Sequence, residues 1–228
     1  MRFLSLMLAA ASAALLAPAA LPIAADPAPP GEVRAADLLA RVAECDQISR
    51  GRYRTDVGTP ATVPVCGTPA TVHWEADMDI DCDGRPGARC NSRTDPYFSA
   101  TTAFPQSDGR YLDAERLPYV VVPVPSPTWD YRAHGVRGGS VVAVVYRDRV
   151  RYAVVGDTGP RDIIGEASYA TARALGIRAD PWGGGTDSGV TYIVFKGSRV
   201  SPIEDPALAV KEGERLAREF VEDGGQDD

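Results

Sequence analysis

Short, β-branched apolar runs bounded by Gly, Pro or Asp recur along the second half of the chain. They fall at residues 117–124, 140–147, 150–155 and 189–195. Their apolar positions are continuous rather than alternating, the signature of strands buried on both faces. Asp148 and Arg149 turn the second run back into the third as a hairpin. An earlier strand starts at residues 72–75 and leads into an acidic stretch. Helical spacing is rarer. Leu38, Leu39, Val42 and Cys45 share one face of a helix over 36–45. Residues 166–175 read as a short helix stopped by Gly176 and followed by Pro181. Asp205 and Pro206 cap and start a C-terminal amphipathic helix carrying Leu216, Ala217, Phe220 and Val221. Residues 50–70 are turn-rich, and no internal repeat is visible. The pattern predicts a compact, mainly β domain with a few helices.

The two ends have another character. Arg2 precedes a Leu- and Ala-rich stretch that ends in small residues before Asp26, which is how a secretory signal peptide looks. Pro18 and Pro22 interrupt that stretch, which argues against a membrane anchor. The chain thus divides into a signal peptide (1–25), a Pro-rich lead-in (26–36), a single domain (37–221) and an acidic tail (222–228). Secretion to the extracellular space makes the four cysteines disulfide partners rather than thiols. Of three possible connectivities, Cys45–Cys66 and Cys82–Cys90 are favoured because each pair is local. No C-x-x-C spacing supports zinc.

Charge narrows the function. Apolar residues make up 44% of the chain, enough for a core, and 24 Lys and Arg against 31 Asp and Glu leave a net charge of −7. That field repels phosphate backbones, so neither nucleic acid nor a membrane surface is an expected partner, whereas a cationic substrate suits it. His73 and His134 are the only histidines, too few for a three-histidine metal centre. There is no P-loop and no G-x-S-x-G elbow. Chemistry therefore falls to carboxylates.

Three acidic features stand out. Asp157 follows the apolar run Ala153–Val155 and lies between Gly156 and Gly159, at a strand end that can hold a side chain rigidly. The bland alternative is an Asp that caps its own turn. Glu166 follows Ile163 and Ile164 and opens the predicted short helix; a first-turn Glu complementing the helix dipole is its alternative. The run from Asp77 to Asp83 places an Asp at every second residue, on one face of an extended strand, where like charges call for a cation. Asp79, Asp81, Asp83 and Gly84 also match the opening of an EF-hand loop, but the twelfth position is Cys90 rather than a bidentate Glu. Calcium, substrate amines and a plain solvated face remain open readings.

Five blocks carry a family likeness: Asp77–Gly84, Leu117–Pro123, Val155–Pro160, Ile164–Ser168 and Asp187–Phe195. Together and in this order they resemble chitosanases of glycoside hydrolase family 75, over about residues 45 to 200. The resemblance implies an endo-acting, inverting hydrolase of β-1,4-linked glucosamine polymers, with Asp157 and Glu166 as the essential carboxylates. Glu166 is expected as general acid and Asp157 as base. With Asp187 from the last block, Asp77, Asp79 and Asp81 form the expected substrate-binding set for the polycationic polysaccharide. No cofactor and no metal are called for, and a monomer is expected. The Gly-Asp-Thr-Gly and Ile-Gly segments also resemble double-psi β-barrels, so a six-stranded barrel is the expected fold. Trp129 and Trp182, each beside turn residues, are candidate sugar platforms. Competing readings are a peptidoglycan lytic transglycosylase-like enzyme on the same barrel and a non-catalytic, calcium-dependent wall-binding protein.

Overall fold

The computed structural model describes residues 33–223. The expected signal peptide, most of the expected lead-in and the end of the acidic tail lie outside the described residues.

Seven strands are present among the described residues. β1 (Cys66–Gly67) is a two-residue edge on β2 (Thr71–Asp81). β3 (Tyr119–Pro123), β4 (Val141–Tyr146), β5 (Arg149–Gly159), β6 (Glu166–Ser168) and β7 (Thr186–Phe195) follow. The order β2-β6-β3-β5-β4-β7 closes on itself through an antiparallel β2–β7 pairing, which makes a six-stranded barrel. It is mixed: β2–β6 and β3–β5 run parallel and the other neighbours antiparallel. Closure explains the sequence pattern, because a barrel has no open edge and its wall here is covered on both sides. Val72, Trp74, Val120, Val142, Val155 and Tyr192 fill the interior. Tyr119, Val121, Val141, Ala143, Val154 and Ile193 point the other way into a second apolar layer.

That outer layer is covered by helices and one long excursion. α3 (Pro206–Glu222) buries Ala209, Gly213, Ala217 and Phe220, spaced for a single stripe, and the Phe220 ring meets Phe195 edge-on at 6.2 Å. Asp205 caps it as the sequence predicts, with Oδ1 accepting the Leu208 N–H at 3.0 Å. α1 (Ala35–Arg41) is shorter than the expected 36–45 and starts inside the predicted lead-in. The chain leaves the helix there because Cys45 must reach Cys66, with Cα atoms 5.1 Å apart. Cys82–Cys90 is the second disulfide, so the favoured connectivity is the one observed. It ties down the excursion between β2 and β3, whose Leu112, Ala114 and Leu117 pack beneath Tyr119 and Val121.

One correction bears on the site. Glu166 does not open a helix: it begins β6, and α2 (Tyr169–Leu175) starts three residues later with Ser168 as its cap, accepting from the Thr171 N–H. Pairing with β2 and β3 claims residues 166–168 before the helix can form.

Candidate active site

The barrel wall sets four residues in one row. Asp79 on β2 is in register with Glu166 on β6, Glu166 with Val121 on β3, and Val121 with Asp157 on β5. Residues in register on neighbouring strands project from the same face. The row therefore carries three carboxylates on the outer surface of the barrel, alongside the 82–117 excursion. A register shift at Val120–Val121 brings Val121 opposite Asp157 rather than Gly156.

Asp157 is buried, and its Oδ1 accepts two backbone N–H groups at 2.7 Å, from Ala103 and from Thr158. The second is the turn-type contact of the bland reading; the first ties Asp157 to the excursion 54 residues away. Both contacts use the same oxygen, which leaves Oδ2 for other chemistry. Burial raises the Asp157 pKa, and the two N–H donors oppose that rise.

No hydrogen-bond donor offsets the charge of Glu166. Burial, then the neighbouring charges of Asp79, Asp83 and Asp157, push its pKa up to about 8. It reaches across Val121 toward β5: a Cβ placed on Gly159 would stand 3.2 Å from Glu166 Oε2 and 2.9 Å from Val121 Cγ1. Gly159 thus leaves the room that the Glu166 carboxyl uses.

The acidic run is extended along β2 and beyond, not curled as in an EF-hand loop. Asp81 is buried; its Oδ1 accepts the Asp83 N–H at 2.6 Å, and Asp83 Oδ1 accepts the Ser99 N–H at 2.6 Å. Burial is the leading cause that raises Asp81 well above the carboxylate range, with the Glu166 charge second. Asp83 rises to about 6 for the same first reason. A pocket of about 280 Å³ is lined by Asp79, Asp81, Asp83, Asp95, Tyr97 and Glu166, with Asp180, Pro181, Gly183 and Gly184 closing one side. Asp77 is buried and does not line it. Asp187 is exposed on β7 and does not line this pocket.

The two tryptophans part company. Trp182, between the pocket-lining Pro181 and Gly183, is 74% exposed, as a sugar platform needs. Trp129 is core: 3% exposed and edge-on to Trp74 and Tyr131 at 6.2 and 6.3 Å. Asp95 and Tyr97, which the sequence reading missed, arrive at the pocket from the excursion. Tyr97 is 91% exposed, and its N–H donates to Asp95 Oδ1 at 2.8 Å. An Asp-Pro-Tyr turn in a long loop carries no periodicity that could have marked it.

Such an arrangement holds one carboxyl that stays protonated near neutrality and one carboxylate steadied by backbone donors, two strands apart. Acid–base work on a substrate lying along the wall needs that pair.

Residues 78–225 match the family of fungal chitosanases of glycosyl hydrolase group 75. The chain is 35% identical over 140 residues to an endo-chitosanase of Aspergillus oryzae, covering 56% of each chain. It is 33% identical over 134 residues to endo-chitosanase B of that species (55% of this chain, 56% of the relative). With an endo-chitosanase of Aspergillus fumigatus it shares 36% over 102 residues, 42% of this chain and 43% of the relative. The matches thus span about half the length of these relatives.

Proposed function

The chain belongs to the fungal chitosanase family of glycosyl hydrolase group 75, and from that premise we propose that it is an endo-acting hydrolase of β-1,4 bonds in chitosan. The observation that carries this reading is the pairing of Glu166 and Asp157 on either side of Val121. Glu166, raised to about 8, keeps its proton at working pH and delivers it to the glycosidic oxygen. Asp157, steadied as a carboxylate by the Ala103 and Thr158 N–H groups, draws a proton from the attacking water. Their strands stand two ladder spacings apart, about 9–10 Å between backbones. Inverting enzymes need about 6.5–9.5 Å between carboxyl groups and retaining ones about 5–5.5 Å, and the intervening strand favours the wider arrangement and hence inversion at the anomeric carbon.

Substrate preference rests on the pocket. Asp79, Asp81, Asp83 and Asp95 gather in it without a basic partner among its lining residues. The ammonium groups of deacetylated sugar supply the missing charge, and each one bound favours the ionised form of its carboxylate partner. Trp182 and Tyr97 flank the pocket as faces for sugar rings. Two disulfides support export to an oxidising compartment. No helix among the described residues is long and apolar enough to cross a membrane.

The test is cleavage of a graded series of chitosans beside peptidoglycan, followed by chromatography of the products, with the anomer of any new reducing end read by NMR. Hydrolysis of chitosan alone, giving the α-anomer first, supports the reading; cleavage of peptidoglycan alone would reassign the protein to the transglycosylase class.

A further inference from the structure

We propose that Asp56, Asp77 and Asp79 form a calcium site that clamps the N-terminal loop onto the barrel. One carboxylate oxygen from each residue lies within 4.8 Å of the other two. A single Ca²⁺ bound at about 2.4 Å holds ligand oxygens no further apart than about 4.8 Å. The donor set is all carboxylate oxygen, which suits a hard cation and not zinc or copper.

A second observation points the same way. Asp77 is 4% exposed, and its Oδ1 has no hydrogen-bond partner. Buried carboxylates are ordinarily satisfied by N–H donors, as Asp157 and Asp81 are here. The fold also makes room for this group: Gly165 has φ +116°, and a Cβ there would lie 1.9 Å from Asp77 Oδ1. The chain thus accommodates an acid at this position and supplies no donor to its Oδ1. A cation completes it.

Placement gives the site a purpose. Asp56 belongs to the turn-rich segment before β1, and Asp77 and Asp79 to β2. That segment already meets the wall through the Arg54 N–H to Asp162 O bond at 2.9 Å and the Ile164 N–H to Arg54 O bond at 3.0 Å. The cation would join the two across 21 residues of chain. Asp56 and Asp79 are exposed, so water fills the remaining coordination positions. With three carboxylates and open coordination, affinity falls near the weak, extracellular class of about 10⁻⁴–10⁻³ M.

The test needs no chitosan, so its failure leaves the hydrolase reading untouched. The chelator-treated full chain is titrated with CaCl₂ by calorimetry and melted with and without 10 mM CaCl₂. One bound Ca²⁺ and a Tm rise of at least about 3 °C are expected. Asp56→Asn, an exposed loop change that leaves the barrel intact, should abolish both effects, while Asp187→Asn should keep them. No Ca²⁺ response would overturn the site. So would a response that survives in Asp56→Asn, or one given by glucosamine instead of Ca²⁺ and lost in that variant.

Discussion

Glu166 and Asp157 are both register partners of Val121, one antiparallel on β6 and one parallel on β5. Two carboxylates nine residues apart in sequence thereby stand on one face with a single strand between them. The barrel closure fixes this relationship, because β3 is the only neighbour that β5 and β6 share. If the pair performs the chemistry, Asp157→Asn and Glu166→Gln should each cut turnover at least about a hundredfold, the usual cost of losing a positioned acid or base. Circular dichroism should show both variants folded. A folded variant with near-normal turnover removes that residue from the mechanism.

Much of the fold could be read in the chain, and the reason is closure. The Val-rich runs at 117–124, 140–147, 150–155 and 189–195 became β3, β4, β5 and β7, because a wall buried on both faces leaves continuous apolar strands. The reading failed where tertiary pairing overrode local pattern. Glu-Ala-Ser at 166–168 reads as the first turn of a helix, but β2 and β3 claim it as strand. Asp56, Asp95 and Tyr97 sit in turn-rich segments with no spacing signal, and only the folded chain brings them near β2. Trp129 had turn residues beside it and still went to the core.

Correcting the position of Glu166 changes its acid–base argument. Without a helix N-terminus there is no dipole favouring the carboxylate, and burial stands unopposed by any hydrogen-bond donor. Turnover should therefore fall as pH rises through about 8, where the acid loses its proton. Stability should follow the same sign. A carboxyl whose pKa is raised on folding contributes its full stability below the unfolded value near 4, and that contribution is lost progressively up to about 8. Melting temperature should drop between pH 5 and pH 8, and less steeply in Glu166→Gln; equal slopes would contradict the burial of this group.

Gly159 gives a test of positioning that leaves both carboxylates in place. An added methyl would stand 2.9 Å from Val121 Cγ1 and 3.2 Å from Glu166 Oε2. Gly159→Ala should displace the Glu166 carboxyl by a few tenths of an ångström or more and lower kcat several-fold with little change in KM. It should also move the alkaline limb of the pH profile, which a purely structural change would not. An unaltered profile would mean that Glu166 adjusts freely.

The two tryptophans make opposite predictions, and a single pair of variants separates a binding face from a core residue. Trp182 is 74% exposed beside the pocket, so Trp182→Ala should leave the melting temperature within about 1–2 °C while raising KM for long chitosan oligomers. Trp129 is 3% exposed and packs against Trp74, Tyr131 and His134, with ring centroids 6.2 to 6.4 Å away. Trp129→Ala opens a cavity among rings that cannot all collapse into it, at a cost of about 3–5 kcal/mol, and should lower stability without a specific effect on KM in the protein that remains folded. The contrast follows from where each ring ends up, since the local sequence around both is alike. Normal substrate affinity in Trp182→Ala would remove the sugar face at the pocket mouth and leave binding to the carboxylates alone.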